Sequence, residues 1–183
     1  IDILINNMGI YEPKDSFETT DDDWQRLFDI NVMSGVHLTR YYLAEMLKYR
    51  NWGRVVFVSS ESTIFVPREM VHYGMTKSAQ LVIARGAAEA TKGTNVTVNS
   101  VLLEATLVKA QTERLSPRAA AHGTMVEELK RRTITERQPS SLLQRYALTE
   151  EIANLIWYVY SKASSATNGA ALWADGGIIT NPF

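Results

Sequence analysis

Arg54-Val55-Val56-Phe57-Val58-Ser59-Ser60 is the stretch that decides the fold. Four consecutive apolar residues, mostly β-branched, are too few for a helix and lack the alternation of a half-solvated strand. They read as a strand buried on both faces, and Ser59-Ser60-Glu61-Ser62 marks its exit into a polar loop at the carboxyl end. Upstream, Ile1-Asp-Ile-Leu-Ile5 is a second run of this kind, also expected to be buried on both faces, and it leaves through Asn6-Asn7-Met8-Gly9. Downstream, Val96-Thr-Val-Asn-Ser-Val-Leu102 is a third.

Helical patterns fill the intervals. Thr19-Thr20-Asp21-Asp22-Asp23 supplies a cap and first-turn acids, after which Trp24, Leu27, Phe28, Val32, Val36, Leu38, Leu43 and Leu47 recur at helical spacing. The pattern predicts one long helix to about Tyr49, stopped by Asn51-Trp52-Gly53. A second helix, rich in Ala, Leu and Ile, is predicted from about Tyr73 to Thr91, closed by Lys92-Gly93. Strands alternating with helices at this spacing imply parallel strands joined by right-handed crossovers, hence an α/β fold with a doubly wound parallel sheet. Residues from about 105 to 145 are polar, with two prolines, and a stretch of that length is expected to be a functional lid or to lack structure of its own. Thr149-Glu-Glu-Ile-Ala-Asn-Leu-Ile-Trp-Tyr then reads as a capped helix, and Ala170-Ala-Leu-Trp-Ala174 as a last strand before Asp175-Gly176-Gly177.

With 183 residues, 45% hydrophobic and 21% charged, the chain suits one globular domain over 1–183. A net charge of -1 offers no basic footprint for nucleic acid or an anionic membrane. The absence of cysteine excludes disulfides, thiolate zinc sites and thiol nucleophiles. No segment reaches the roughly 20 apolar residues of a membrane span, and no signal peptide is visible, so a cytoplasmic protein is expected. His37, His72 and His122 lack ligand spacing, and no metal site is expected. Trp157, Tyr158 and Tyr160 are expected to pack a core or a subunit interface.

Tyr73-Gly-Met-Thr-Lys77 places a phenol and an ammonium on one helix face. The pair is either a solvated helix-face pair or an acid/base couple in which the cation favours phenolate. Thirteen residues upstream, Ser60 leaves its strand at the carboxyl edge, where open α/β sheets place ligands. Asn31, in Phe28-Asp-Ile-Asn-Val32, is an amide inside an apolar stripe. It bonds locally and bends the helix, or holds a water that passes protons from Lys77 to bulk solvent, or does both.

Taken in order, Asn6-Asn7-Met8-Gly9, Phe28-Asp-Ile-Asn31-Val, Gly53-Arg-Val-Val-Phe-Val-Ser59-Ser60, Tyr73-x-x-x-Lys77, Val98-Asn99-Ser-Val and Ala174-Asp175-Gly-Gly resemble the short-chain dehydrogenase/reductase pattern over nearly the whole chain. The resemblance implies a Rossmann-type sheet of which this chain carries the C-terminal part. It also implies an NAD(P)-dependent oxidoreductase that interconverts a small ketone and a secondary alcohol, assembled as a homodimer or homotetramer. The implied catalytic residues are Asn31, Ser60, Tyr73 and Lys77. Tyr73 would be the general acid/base, Lys77 would bind the nicotinamide ribose and lower the Tyr73 pKa, Ser60 would orient the carbonyl and Asn31 would complete a proton relay. NADP or NAD would lie along Asn6, Gly9, Tyr73, Lys77 and Thr106, and the segment of about 105 to 145 would be the substrate lid.

Three places depart from that pattern. The glycine-rich phosphate loop and its βαβαβ half are absent, which predicts that the sequence is part of a longer protein. Met8 stands where the family has a small residue, and Leu102-Leu103-Glu104 where it has Pro-Gly. A non-catalytic relative of the fold, or an epimerase or dehydratase built on it, are the competing readings.

Overall fold

The computed structural model describes residues 1–180, the side chains of residues 110 and 114 apart. The strands are β1 (Ile3–Asn6), β2 (Gly53–Ser60), β3 (Val96–Leu103), β4 (Thr106–Leu107), β5 (Ala147–Leu148) and β6 (Ala171–Ala174). β1, β2, β3 and β6 form one sheet in that order, all parallel, while β4 and β5 pair separately. The register aligns Leu4 with Val55 and Val55 with Val98, and Val55, Val56, Phe57 and Val98 are all fully buried.

Two periodicities explain why the sheet is covered on both sides. Side chains alternate across a strand, so Val55 and Phe57 join Leu43, Met46, Ala84 and Ala88 in one core. Val56 joins Val101, Val159, Leu155 and Ile156 in the other. The first core is made by α2 (Ser34–Tyr49) and α3 (Val71–Glu89), the second by α6 (Thr149–Tyr160). Each fully buried Val or Phe contributes about 1.5–3 kcal/mol, so a charge at Val55 or Val56 would unmake the sheet.

β1 differs from its expected burial on both faces. Leu4 and Asn6 are buried against α2, whereas Ile3 and Ile5 are each 38% exposed. The cause is position: β1 is an edge strand, and α6 lies over β2 and β3. The long helix expected up to Tyr49 forms with a defect. α1 (Asp21–Phe28) starts at a capping box between Thr20 and Asp23 and runs into a π-helical turn, Asp29–Met33, which continues into α2.

The polar stretch expected as a lid or without structure of its own folds into α4 (Lys109–Ala121) and α5 (Val126–Arg137), joined over a small core of Leu115, Ala119 and Leu129. Among the described residues no helix is long and apolar enough to cross a membrane.

Candidate active site

The site forms where β2 ends and α3 begins. Ser60 is the last residue of β2, and the chain returns through a short 3-10 turn, Glu61–Thr63, to enter α3 at Val71. Gly74 allows the closure: a Cβ there would lie 2.7 Å from the Ser62 carbonyl oxygen, so any side chain would push α3 away from the turn. The close approach puts the Tyr73 phenol and the Ser60 hydroxyl on the wall of one cleft. A cleft of about 290 Å³ opens beside them, lined by Tyr11, Ser60, Glu61, Tyr73, Glu104 and Thr106. It adjoins a cavity of about 300 Å³ reaching Gln111 on α4 and Ile134, Arg137 and Gln138 at the end of α5.

The acid/base balance of the cleft is set by burial and by carboxylates. Burial pushes the Tyr73 phenol above its ordinary value, and Glu61 and Tyr11 push it the same way, against the Ser60 hydroxyl. The lowering by Lys77 expected from the sequence is therefore not what governs this site. The Lys77 ammonium stands 5.7 Å from the centre of the Tyr73 ring, and burial lowers its own pKa to about 8 against the supporting charge of Glu61. Ser60 donates to the Glu61 carboxylate at 2.7 Å and accepts from the Ser62 amide at 3.1 Å. Glu61 is itself raised by burial, and Gln138 donates to its other oxygen at 3.2 Å. Burial, together with Glu61 and Asp175, raises Glu104 to about 7.

The sequence-predicted residues divide into three groups. Ser60, Tyr73 and Thr106 share the cleft, Thr106 holding its hydroxyl on the Glu104 carbonyl at 3.0 Å. Lys77, Asn31 and Gly9 meet behind it. A Cβ on Gly9 would sit 3.5 Å from Lys77 Nζ and 3.6 Å from Asn31 Oδ1. Asn6 stands apart from the cleft, buried, its amide donating to Thr39 on α2 at 3.0 Å.

Of the two readings of Asn31, the local one does not hold. Its side chain bridges distant elements, accepting from the Ile10 amide at 2.7 Å and donating to the Ile10 carbonyl and to Thr76 Oγ1 at 2.9 and 3.0 Å. The distortion of the helix is the π-turn itself, a device found often at functional sites. His72, next to Tyr73 in sequence, is buried edge-on against Trp24.

Sequence reasoning missed Tyr11, whose ring packs edge-on to Tyr73 at 6.2 Å, and Gln80, buried between Lys77 and Asn31. It quoted Glu61 only as part of a loop. The available signals were a carboxylate directly after the candidate serine, and a polar residue three positions after Lys77 on an otherwise apolar helix. Tyr11 left no signal.

The chain is similar in sequence and fold to known oxidoreductases. A family model described as enoyl-(acyl carrier protein) reductase matches residues 1–179. The chain is 45% identical over 183 residues to the uncharacterized oxidoreductase YvaG of Bacillus subtilis (strain 168), covering 100% of this chain and 69% of that protein. It is 29% identical over 176 residues to a D-beta-hydroxybutyrate dehydrogenase of Cupriavidus necator, covering 96% of this chain and 67% of that one. In the fold, it matches L-sorbose reductase from Gluconobacter frateurii, solved with NADPH and L-sorbose, at a TM-score of 0.90 and 23% identity over 98% of this chain and 67% of that one. With its parallel sheet, its Tyr73 and Lys77 on one helix and these relatives, the chain belongs to the short-chain dehydrogenase/reductase family.

Proposed function

We propose that this chain supplies the proton-transfer half of an NAD(P)-dependent oxidoreductase interconverting a ketone and a secondary alcohol. The observation that carries the reading is the convergence of the Tyr73 phenol and the Ser60 hydroxyl on one cleft, with the Lys77 ammonium one turn behind.

A phenol held above its ordinary pKa is a proton donor at neutral pH. In the reductive direction Tyr73 gives its proton to the oxygen of the reacting carbonyl as that oxygen becomes an alkoxide; in the oxidative direction it takes the proton back. Ser60 binds the same oxygen, and its existing bond to Glu61 turns to the substrate as the cleft fills. A nicotinamide cofactor, NADP or NAD, supplies the hydride. The residues present suit such a group. An ammonium has three donors; Lys77 spends two, on the Val58 carbonyl at 2.9 Å and on Gln80 at 3.3 Å, leaving the third for a ribose hydroxyl. Gly9 keeps the space over it open, and Thr106 lies at the cleft for the carboxamide. Helices α4 and α5 form the substrate lid, since Gln111, Ile134 and Arg137 line the adjoining cavity. A homodimer or homotetramer is the proposed assembly, supported by the apolar groove of Leu43, Leu47, Ile83 and Ala87 between α2 and α3.

The test is oxidation of NADH and of NADPH by the full-length protein with a panel of neutral ketones and keto sugars, wild type beside Tyr73→Phe. The expected result is turnover with one cofactor, reduced at least about a hundredfold by the substitution. Undiminished turnover by the Phe variant, or no carbonyl-dependent consumption of either cofactor, would overturn the reading.

A further inference from the structure

Gln80 is 1% exposed, in the third turn of α3. Its two ends have partners that fix its orientation. Nε2 donates to the Asn31 main-chain carbonyl at 2.6 Å, and that carbonyl can only accept. Oε1 accepts from Lys77 Nζ at 3.3 Å, and an ammonium can only donate. No flipped amide satisfies both. The π-turn brings the Asn31 carbonyl within reach, its i→i−5 spacing shown by the Ser34 amide bonding back to Asp29.

We propose that Gln80 is a positioning residue for the proton-transfer chemistry, a fixed amide bridge between the Asn31 carbonyl and the Lys77 ammonium that holds this ammonium at Tyr73. The proposal rests on the oxidoreductase reading above and deepens it. Asn31 is the anchor of this bridge. Its side chain ties Ile10 to Thr76, and its carbonyl anchors Gln80. Lys77 is otherwise faced by three titratable groups: Glu61 after β2, Tyr73 on its own helix, and Tyr11 packed on Tyr73. Gln80 is the neutral member of its surroundings, so Gln80→Leu changes the hold on the ammonium without adding or removing a site charge.

The experiment follows the lysine ε-carbon resonances of the full-length protein without cofactor through a pH titration, Lys77 being assigned by its loss in Lys77→Met. Wild type is compared with Gln80→Leu and Gln80→Glu. Loss of the acceptor in the Leu variant is expected to lower the Lys77 midpoint by about one unit, and the new carboxylate in the Glu variant to raise it by about as much. In turnover, Gln80→Leu is expected to lose about tenfold in kcat, with KM for the carbonyl changed less than about twofold. Superimposable Lys77 titrations in all three proteins would overturn the proposal. If the Leu variant does not fold, the Glu variant, nearly the same in shape, decides alone. Failure to find any carbonyl substrate would fell the oxidoreductase reading, yet the titration would still decide whether Gln80 holds Lys77.

Discussion

The carboxyl group of Glu104, at the end of β3, lies directly against Gly176 in the turn after β6, with both oxygens where a Cβ of residue 176 would have to be. Gly176 also has φ +61°, a conformation that suits glycine. The contact ties the cleft to the C-terminal segment, because the Gly176 carbonyl in turn accepts from the Leu142 and Leu143 amides. Gly176→Ala is therefore expected to destabilise the protein by about 1–2 kcal/mol, the φ penalty of about 1 kcal/mol together with the displacement of the Glu104 carboxyl. Urea unfolding of Gly176→Ala, Glu104→Ser and the double variant checks this. The double variant should recover part of the loss, and strict additivity would show that the two residues do not meet as described.

Glu104 also gives stability a pH dependence with a definite sign. Its folded pKa, about 7, lies above the ordinary 4.5, raised first by burial and then by Glu61 and Asp175. The folded state thus binds a proton that the unfolded chain has released. The resulting stabilisation is complete below about pH 4.5 and is lost as pH rises through 7. Glu104→Gln should flatten the change between these limits and make the protein more stable than wild type at pH 8, by roughly 1–3 kcal/mol. Thermal unfolding midpoints across this range measure it. A variant less stable than wild type at pH 8 would contradict it.

Glu61→Gln keeps the shape and one of the two accepting oxygens, so that either Ser60 or Gln138 retains its acceptor, while removing the charge that raises both Tyr73 and Lys77. Without that carboxylate the phenol falls toward its ordinary value and the ammonium drops further. Both changes move the alkaline limb of reductive kcat/KM to lower pH, by about half a unit to one unit. A pH profile of the variant in the full-length protein reads the shift directly, and an unmoved or raised limb would show that Glu61 does not act on the acid.

The sheet was legible because its signal is local. Val55 to Val58 are apolar without interruption, and Val96, Val98, Val101 and Leu102 give the next strand the same β-branched and aliphatic character around buried Thr97, Asn99 and Ser100. Ile1 to Ile5 carries the same composition, yet Ile3 and Ile5 are exposed. Composition reports what a residue tolerates, whereas burial at an edge depends on which helix arrives. Tyr73, Lys77 and Ser60 were legible by spacing, since helix periodicity and strand ends fix relative positions before any tertiary contact. Tyr11 and Gln138 were not, because they reach the cavities through a loop and from the end of α5. The upward push that burial gives the Tyr73 phenol was not legible for a related reason: desolvation is a property of the packed site, and no sequence spacing encodes it. The π-turn at Asn31 was visible only as an amide in an apolar stripe.

Arg54 supplies the last expected outcome, from a residue that sequence reading treated only as the start of a strand. It is 2% exposed at the amino end of β2, its guanidinium stacked 4.6 Å above the Trp52 ring. Its partners are carbonyls: Nη1 donates to Gly53 and Asn95 at 2.8 and 2.9 Å, and Nε to Ser161 at 3.4 Å. Burial lowers its pKa, but a guanidinium stays charged at any pH the fold survives. The charge is tolerated because a planar fork distributes it over several carbonyl dipoles at once. Lysine carries the same charge as a point at the end of a flexible stem, which cannot span that set of acceptors or stack on Trp52 in the same way. Methionine fills the channel and removes the charge, at the cost of leaving the carbonyls to water or to each other. Buried charges with too few partners cost more than well-packed apolar replacements. Arg54→Lys should therefore lower stability by about 2–4 kcal/mol in urea unfolding, and Arg54→Met by about half of that. The reverse order would mean that the charge itself, and not the fork, is what this end of the sheet requires.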